Sequence, residues 1–157
     1  MIKMNIKTNE CIPLQKWNSE DEFETHISEL EEHKANNDEG IWMSFDGMKY
    51  PIAEEMISMF NKIAITFPNS DKIHYICQKS KIFRDGIPKD KHLIPKHYFA
   101  DDGGIQSRKT WYFITDIKEV EFNLNLFRQF NKNRNYPDTS RASFQYLVWL
   151  KADIKIP

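Results

Sequence analysis

The stretch from Thr110 to Val120 restricts the fold more than any other. Trp111, Phe113, Thr115 and Ile117 alternate with Tyr112, Ile114, Asp116 and Lys118, which is the two-residue period of a β-strand in residue types that favour strands. The start of this run is apolar on both faces. A second alternating run, Ala142 to Leu150, sets Phe144, Tyr146, Val148 and Leu150 on one face and Gln145, Leu147 and Trp149 on the other. Two further β-rich runs, Ile63 to Phe67 and Lys72 to Gln78, flank the turn-forming cluster Pro68-Asn69-Ser70-Asp71 and predict a hairpin. Ile41 to Phe45, ahead of the Asp46-Gly47 turn signal, is a shorter strand candidate.

Helical patterns are fewer. Ser19 and Glu22 have capping-box spacing, and Phe23, Ile27 and Leu30 follow at i, i+4 and i+7 among acidic residues, so an acidic amphipathic helix is expected over about residues 19–34. Pro51 suits the first turn of a second helix, with Ile52, Met56, Met59, Phe60 and Ile63 at helical spacing. Leu124 to Phe130 predicts one or two helical turns. The section Lys79 to Lys109, with Pro88, Pro95 and Gly103-Gly104, reads as loop. The resulting order, helix, strand, helix, hairpin, loop, strand, short helix, strand, indicates an α+β fold. Its sheet is small and curved, or a pseudo-barrel, with flanking helices and the acidic helix at the N-terminus. The polar run Ala35 to Gly40 divides the chain into an acidic helical extension, residues 1–39, and a main body, residues 40–157. A chain of 157 residues suits one domain with such an accessory segment.

Charge follows the same division. The formal net charge is -1, but residues 1–70 carry 6 Lys and no Arg against 13 Asp and Glu, a net of -7, whereas residues 71–157 carry 16 Lys and Arg against 10 acids, a net of +6. All five arginines lie in the second part. This asymmetry points towards a polyanionic partner, although the two parts can also neutralise each other in the fold. The two cysteines, Cys11 and Cys77, have no Cys-x-x-Cys spacing, and no apolar stretch follows a basic N-terminus, so a cytoplasmic chain without a disulfide framework is expected. No apolar run approaches the roughly 20 residues that a spanning helix needs, so no membrane partner is expected. Gly-rich phosphate loops and internal repeats are absent.

Constellations for catalysis are weak. His92 and His97, near Asp101 and Asp102, bracket Pro95 and have no regular ligand spacing, and His74 with Cys77 on one strand would point apart. No metal site or other cofactor is therefore expected. Asp102, Asp116 and Lys118 are only a remote version of a metal-dependent nuclease pattern, and the many acidic pairs read better as solvated surface. His26-Ile27-Ser28 resembles half of a two-histidine phosphoesterase pattern whose second half does not occur. Aromatic residues interleaved with cations say more. Trp42, Trp111 and Trp149 fall on expected strands with Tyr75, Tyr112 and Tyr146, while Arg84, Arg108, Arg128, Arg134 and Arg141 fall in loops or near strand ends. A base taken out of a stack is held between aromatic faces, with cations on its phosphates. Against this, a domain of this size needs most of its aromatics for its core.

The order of these motifs resembles the EVE branch of the PUA-like superfamily, which is related to YTH and ASCH domains. The run Trp42-Met43-Ser44-Phe45-Asp46-Gly47 and then Tyr50-Pro51-Ile52-Ala53-Glu54-Glu55-Met56 is similar to the Trp-containing strand, turn and helix entry of that branch. The hairpin from Ile63 to Gln78 resembles its next pair of strands. Trp111-Tyr112-Phe113-Ile114-Thr115-Asp116-Ile117 is similar to its Lys-Trp-x-x-Val-Asp-Val strand, and Ser140-Arg141-Ala142-Ser143-Phe144-Gln145 to its Arg-Leu-Ser-Val-Gln segment. The resemblance covers about residues 40–157. It implies a small pseudo-barrel that binds, without catalysing, a nucleobase of RNA or DNA, often a modified one. It also implies that Trp42 and Ser44 lie near the pocket on the opening strand, with Trp111 on the later strand and Arg141 contacting the pocket or backbone.

The expectation is thus a non-enzymatic nucleic-acid reader with an aromatic pocket, its candidate contacts being Trp42, Ser44, Trp111, Trp149, Arg108 and Arg141. The alternatives are a protein partner bound through the acidic helix, residues 19–34, as in an inhibitor, and a small metal-dependent nuclease.

Overall fold

The computed structural model describes residues 11–44, 60–105, 108–124, 127–129 and 145–150. They form an α+β fold with one α-helix and an open mixed sheet among the described residues. The chain groups into two compact units: unit 1, of Met1–Asn18, Met48–Ile76 and Lys118–Pro157, and unit 2, of Ser19–Gly47 and Cys77–Ile117.

Unit 1 contains a strand, β1 (Cys11–Lys16), inside the stretch that the sequence presents as an acidic helical extension. Its partners are β3 (Lys62–Thr66), which runs parallel with Leu14 opposite Ala64, and the antiparallel β7 (Gln145–Leu150), with Ile12 opposite Val148. A parallel pair needs a long connection, and here it holds the helix and strand of unit 2. Pro13 is tolerated because the register with β3 begins only at Leu14, so its missing N–H is not required on that side. The expected hairpin is present: β3 and β4 (Lys72–Gly86) are neighbours. Their turn is fastened by Ser70 N–H to Phe67 O at 3.2 Å and by Thr66 Oγ1 to Lys72 O at 2.7 Å, with Asn69 at φ 59.

Two element expectations are corrected here. Ile63, the last residue of the second helical pattern, lies in β3, and residues 51–59 of that pattern are outside the described residues. Of the helical turns expected over Leu124 to Phe130, Leu124 lies in a 3-10 turn, residues 127–129 form instead β6 (Phe127–Gln129), which pairs antiparallel with β7, Arg128 opposite Trp149, and residues 125, 126 and 130 are outside the described residues. A segment that short cannot offset helix nucleation, whereas an adjacent strand satisfies its backbone at once. Ile12, Leu14, Ala64, Ile73, Ile76 and Leu124 form the core of this unit, with Val120 and Phe122 packed against it.

Unit 2 opens with the acidic helix α1 (Glu20–Ala35). Ser19 is its N-cap, its hydroxyl accepting from the backbone N–H of Glu22 at 3.2 Å. Glu20, Asp21 and Glu22 in the first turn and His33 and Lys34 in the last complement the helix dipole. The buried stripe is Phe23, His26 and Leu30, so His26 takes the place expected of Ile27, which is only half-buried. Past α1 the chain enters β2 (Ile41–Ser44), which pairs antiparallel with β5 (Arg108–Asn123). Gly40 is required at that entry, since a Cβ there would lie 2.2 Å from the Ile114 carbonyl oxygen.

The section read as loop from Lys79 is strand as far as Gly86. β4 neighbours β5, so its polar residues have backbone partners despite a weak sequence pattern, and it ends where Asp85 adopts φ 56. Two 3-10 turns, Lys91–Leu93 and Lys96–Tyr98, occupy the section after it.

Candidate functional site

The register of β2 on β5 assembles the site. Trp42 stands opposite Phe113 and Ser44 opposite Trp111, and side chains directly opposite on an antiparallel pair share a face. Trp42, Trp111 and Phe113 belong to one cluster with Leu93 and Ile94, against which Phe83, Ile87, Tyr98, Phe99 and Ile105 pack. The Trp42 and Phe113 rings meet edge to face at 5.1 Å, and Phe83 meets Trp42 at 6.4 Å.

Trp111 is completely enclosed, its indole N–H donating to Gly86 O at 2.9 Å and its ring meeting Tyr98 at 5.1 Å. Its polar atom is committed within the fold. Trp42 differs. It is 4% exposed, and its Nε1, buried, has no hydrogen-bond acceptor among the described residues. An indole nitrogen only donates, and a buried donor left unpaired costs about 1–3 kcal/mol. Beside it, the solvent-exposed Lys81 sets its ammonium 4.5 Å from the Phe113 ring centre and 5.4 Å from that of Trp42, within the range of a cation–π contact. Residues 79–96 carry six Lys and Arg against two Asp, a net of +4, and Lys81, Arg84, Lys89, Lys91 and Lys96 are exposed. Lys79 is buried instead. Desolvation, then the Arg84 charge, lowers its pKa to about 8, and its ammonium lies 5.7 Å from the Tyr112 ring centre.

A second polar chain supports the cluster. His26 is fully buried. Its Nδ1 lies 2.9 Å from Glu22 O, and a carbonyl can only accept, so Nδ1 carries the proton. Nε2 then accepts from the Tyr98 hydroxyl at 2.7 Å, and that oxygen accepts the Ser44 N–H at 3.1 Å. Burial, reinforced by neighbouring His97, pushes His26 down to about 3. His97 packs edge-on against the His26 ring at 4.5 Å, and desolvation lowers its own pKa as well.

Of the residues nominated from sequence, Trp42, Ser44 and Trp111 come together in unit 2. Trp149 lies on β7 opposite Cys11 and Arg128, and Arg108 is the first residue of β5. The side chains of these two, and Arg141 as a whole, lie outside the described residues. Sequence reasoning missed Lys81 and Phe83, because the segment carrying them reads as loop, and also Tyr98 and His26. The signal available was the i, i+2 placement of Lys79, Lys81 and Phe83, which only a strand reading makes meaningful.

Among the described residues, no three His, Cys, Asp or Glu side chains gather as metal ligands. Asp102 accepts the Gly104 N–H at 2.8 Å, and Asp116 lies 3.9 Å from Lys34 Nζ. Cys77 is fully buried, which pushes its thiol pKa upward, away from nucleophilic use. No described helix is long and apolar enough to cross a membrane. Comparison with protein-family models, curated proteins and solved structures gives no match.

Proposed function

We propose that the protein is a non-catalytic nucleic-acid-binding module that holds a flipped or single-stranded base, modified bases included, against the Trp42–Phe113 cluster while nearby cations engage phosphates. The observation that carries this reading is the Lys81 ammonium resting on two aromatic rings inside a segment of net charge +4. Planar π-faces and cations side by side are what a base and its phosphate require. The motif order that resembles the EVE branch supports the same reading.

The test is binding of labelled single-stranded RNA and DNA at two salt concentrations. Affinity is expected to fall steeply with salt, and neutralising Lys89, Lys91 and Lys96 together to glutamine should lower the salt slope by up to about 3, roughly one for each phosphate no longer engaged. Absence of binding at low salt overturns the proposal.

A second reading is favoured by one specific observation: Glu20, Asp21, Glu22, Glu24, Glu31 and Glu32 of α1 are all exposed, which fits a basic protein partner. Replacing Glu24, Glu31 and Glu32 with glutamine should abolish capture of such a partner while leaving or strengthening nucleic-acid binding.

A further inference from the structure

The Trp42 indole N–H and the Lys81 ammonium both lie at the Trp42–Phe113 pair, and both can only donate. The indole donor is buried and has no acceptor among the described residues, a state native proteins rarely leave uncompensated. The ammonium, on an exposed side chain, lies over the same rings. A ligand that displaced Lys81 from these rings would meet two donors.

We infer that this cluster recognises its ligand through a carbonyl oxygen, so that keto bases are preferred over adenine, the one standard base without a carbonyl. The inference rests on the proposed nucleic-acid binding and specifies its ligand. A keto oxygen accepts from the indole N–H through one lone pair and leaves the other for the lysine. Adenine presents an amino group in the same position, which sets donor against donor and leaves the indole unpaired. Sites built to hydrogen-bond a particular group discriminate chiefly through this penalty.

The decisive comparison uses two short single strands that each carry one purine between abasic residues, hypoxanthine in one and adenine in the other. They have the same charge and the same ring system and differ at position 6, keto against amino, and at N1, which carries a hydrogen only in hypoxanthine. The full-length protein is expected to bind the hypoxanthine strand roughly tenfold more tightly. Trp42→Phe keeps an aromatic ring and removes the N–H, and should abolish the preference. The indole Nε1–H resonance of Trp42, followed by NMR in the unmodified protein, should move on titration with the hypoxanthine strand, a readout that does not depend on the variant folding.

Failure of ordinary mixed-sequence RNA and DNA to bind at low salt removes the proposed function itself. If mixed strands bind but the hypoxanthine strand is not preferred, the keto inference falls alone. The same holds if the preference survives in a folded Trp42→Phe protein.

Discussion

His26 is a histidine turned into a core residue. Both ring nitrogens are bonded, Nδ1 to Glu22 O and Nε2 to Tyr98 Oη, and the faces are enclosed by Phe23, His97 and Tyr98. Protonation would bury a charge, and would do so beside His97, which is why the folded pKa drops from 6.5 to about 3. Because the pKa is depressed by folding, the unfolded chain binds the proton more readily between those values. The stabilisation from neutral His26 is therefore complete above 6.5 and is lost progressively as pH falls towards 3. The lowered pKa of His97 acts in the same direction. Urea unfolding at a series of pH values should show this fall, and His26→Gln should make the profile flatter. An unchanged slope in that variant would assign the acid sensitivity to other groups.

At the scale of elements, α1 and β2 are fastened by different physics. The start of α1 depends on the Ser19 cap, and Ser19→Ala should cost about 1 kcal/mol. Ser19→Gly should cost only a few tenths, because glycine also suits that position. The entry to β2 depends on close approach: with a built Cβ 2.2 Å from a backbone oxygen, Gly40→Ala must displace β2 from β5, at about 1–3 kcal/mol. Thermal denaturation of the three variants checks the order, and an alanine at 40 that leaves the melting temperature unchanged would mean that the β2–β5 contact is adjustable. β4 makes the complementary point. Lys79 to Gly86 is strand because a neighbour receives it, whereas its own residues include five polar side chains that read as loop.

For the molecule as a whole, the opposite charges of the two parts of the sequence meet within unit 2. The helix α1 carries seven acids against Lys34, and residues 79–96 carry a net of +4. Fields from such groups extend about 10 Å at 0.1 M salt, so α1 opposes the approach of a polyanion even without touching it. Neutralising Glu24, Glu31 and Glu32 should raise nucleic-acid affinity at low salt, and the gain should fade at high salt. Equal affinity at all salt concentrations would show that α1 does not shield the cations. Deleting residues 1–39 is not a substitute for this test, because it removes β1, which lies between β3 and β7, and with it part of the unit 1 core.

The alternating aromatic run ending at Val120, the hairpin cluster at Pro68 to Asp71 and the Ser19 cap are local signals, and a chain carrying them by itself determines the α+β class, the strand β5, the β3–β4 turn and the helix α1. The meeting of Trp42 and Trp111 in a single cluster could be guessed from residue type but not placed, since the register that sets Trp42 opposite Phe113 and Ser44 opposite Trp111 depends on residues far apart in sequence. Tertiary structure alone decided that β1 and β6 are strands, that His26 rather than Ile27 faces the core, that Trp111 is closed off by Gly86, and that Lys81 rests on Trp42 and Phe113. The physical reason is common to all of these: each outcome turns on a hydrogen-bond or ring partner well outside the local stretch of chain, and no periodicity in the neighbouring residues encodes who that partner will be.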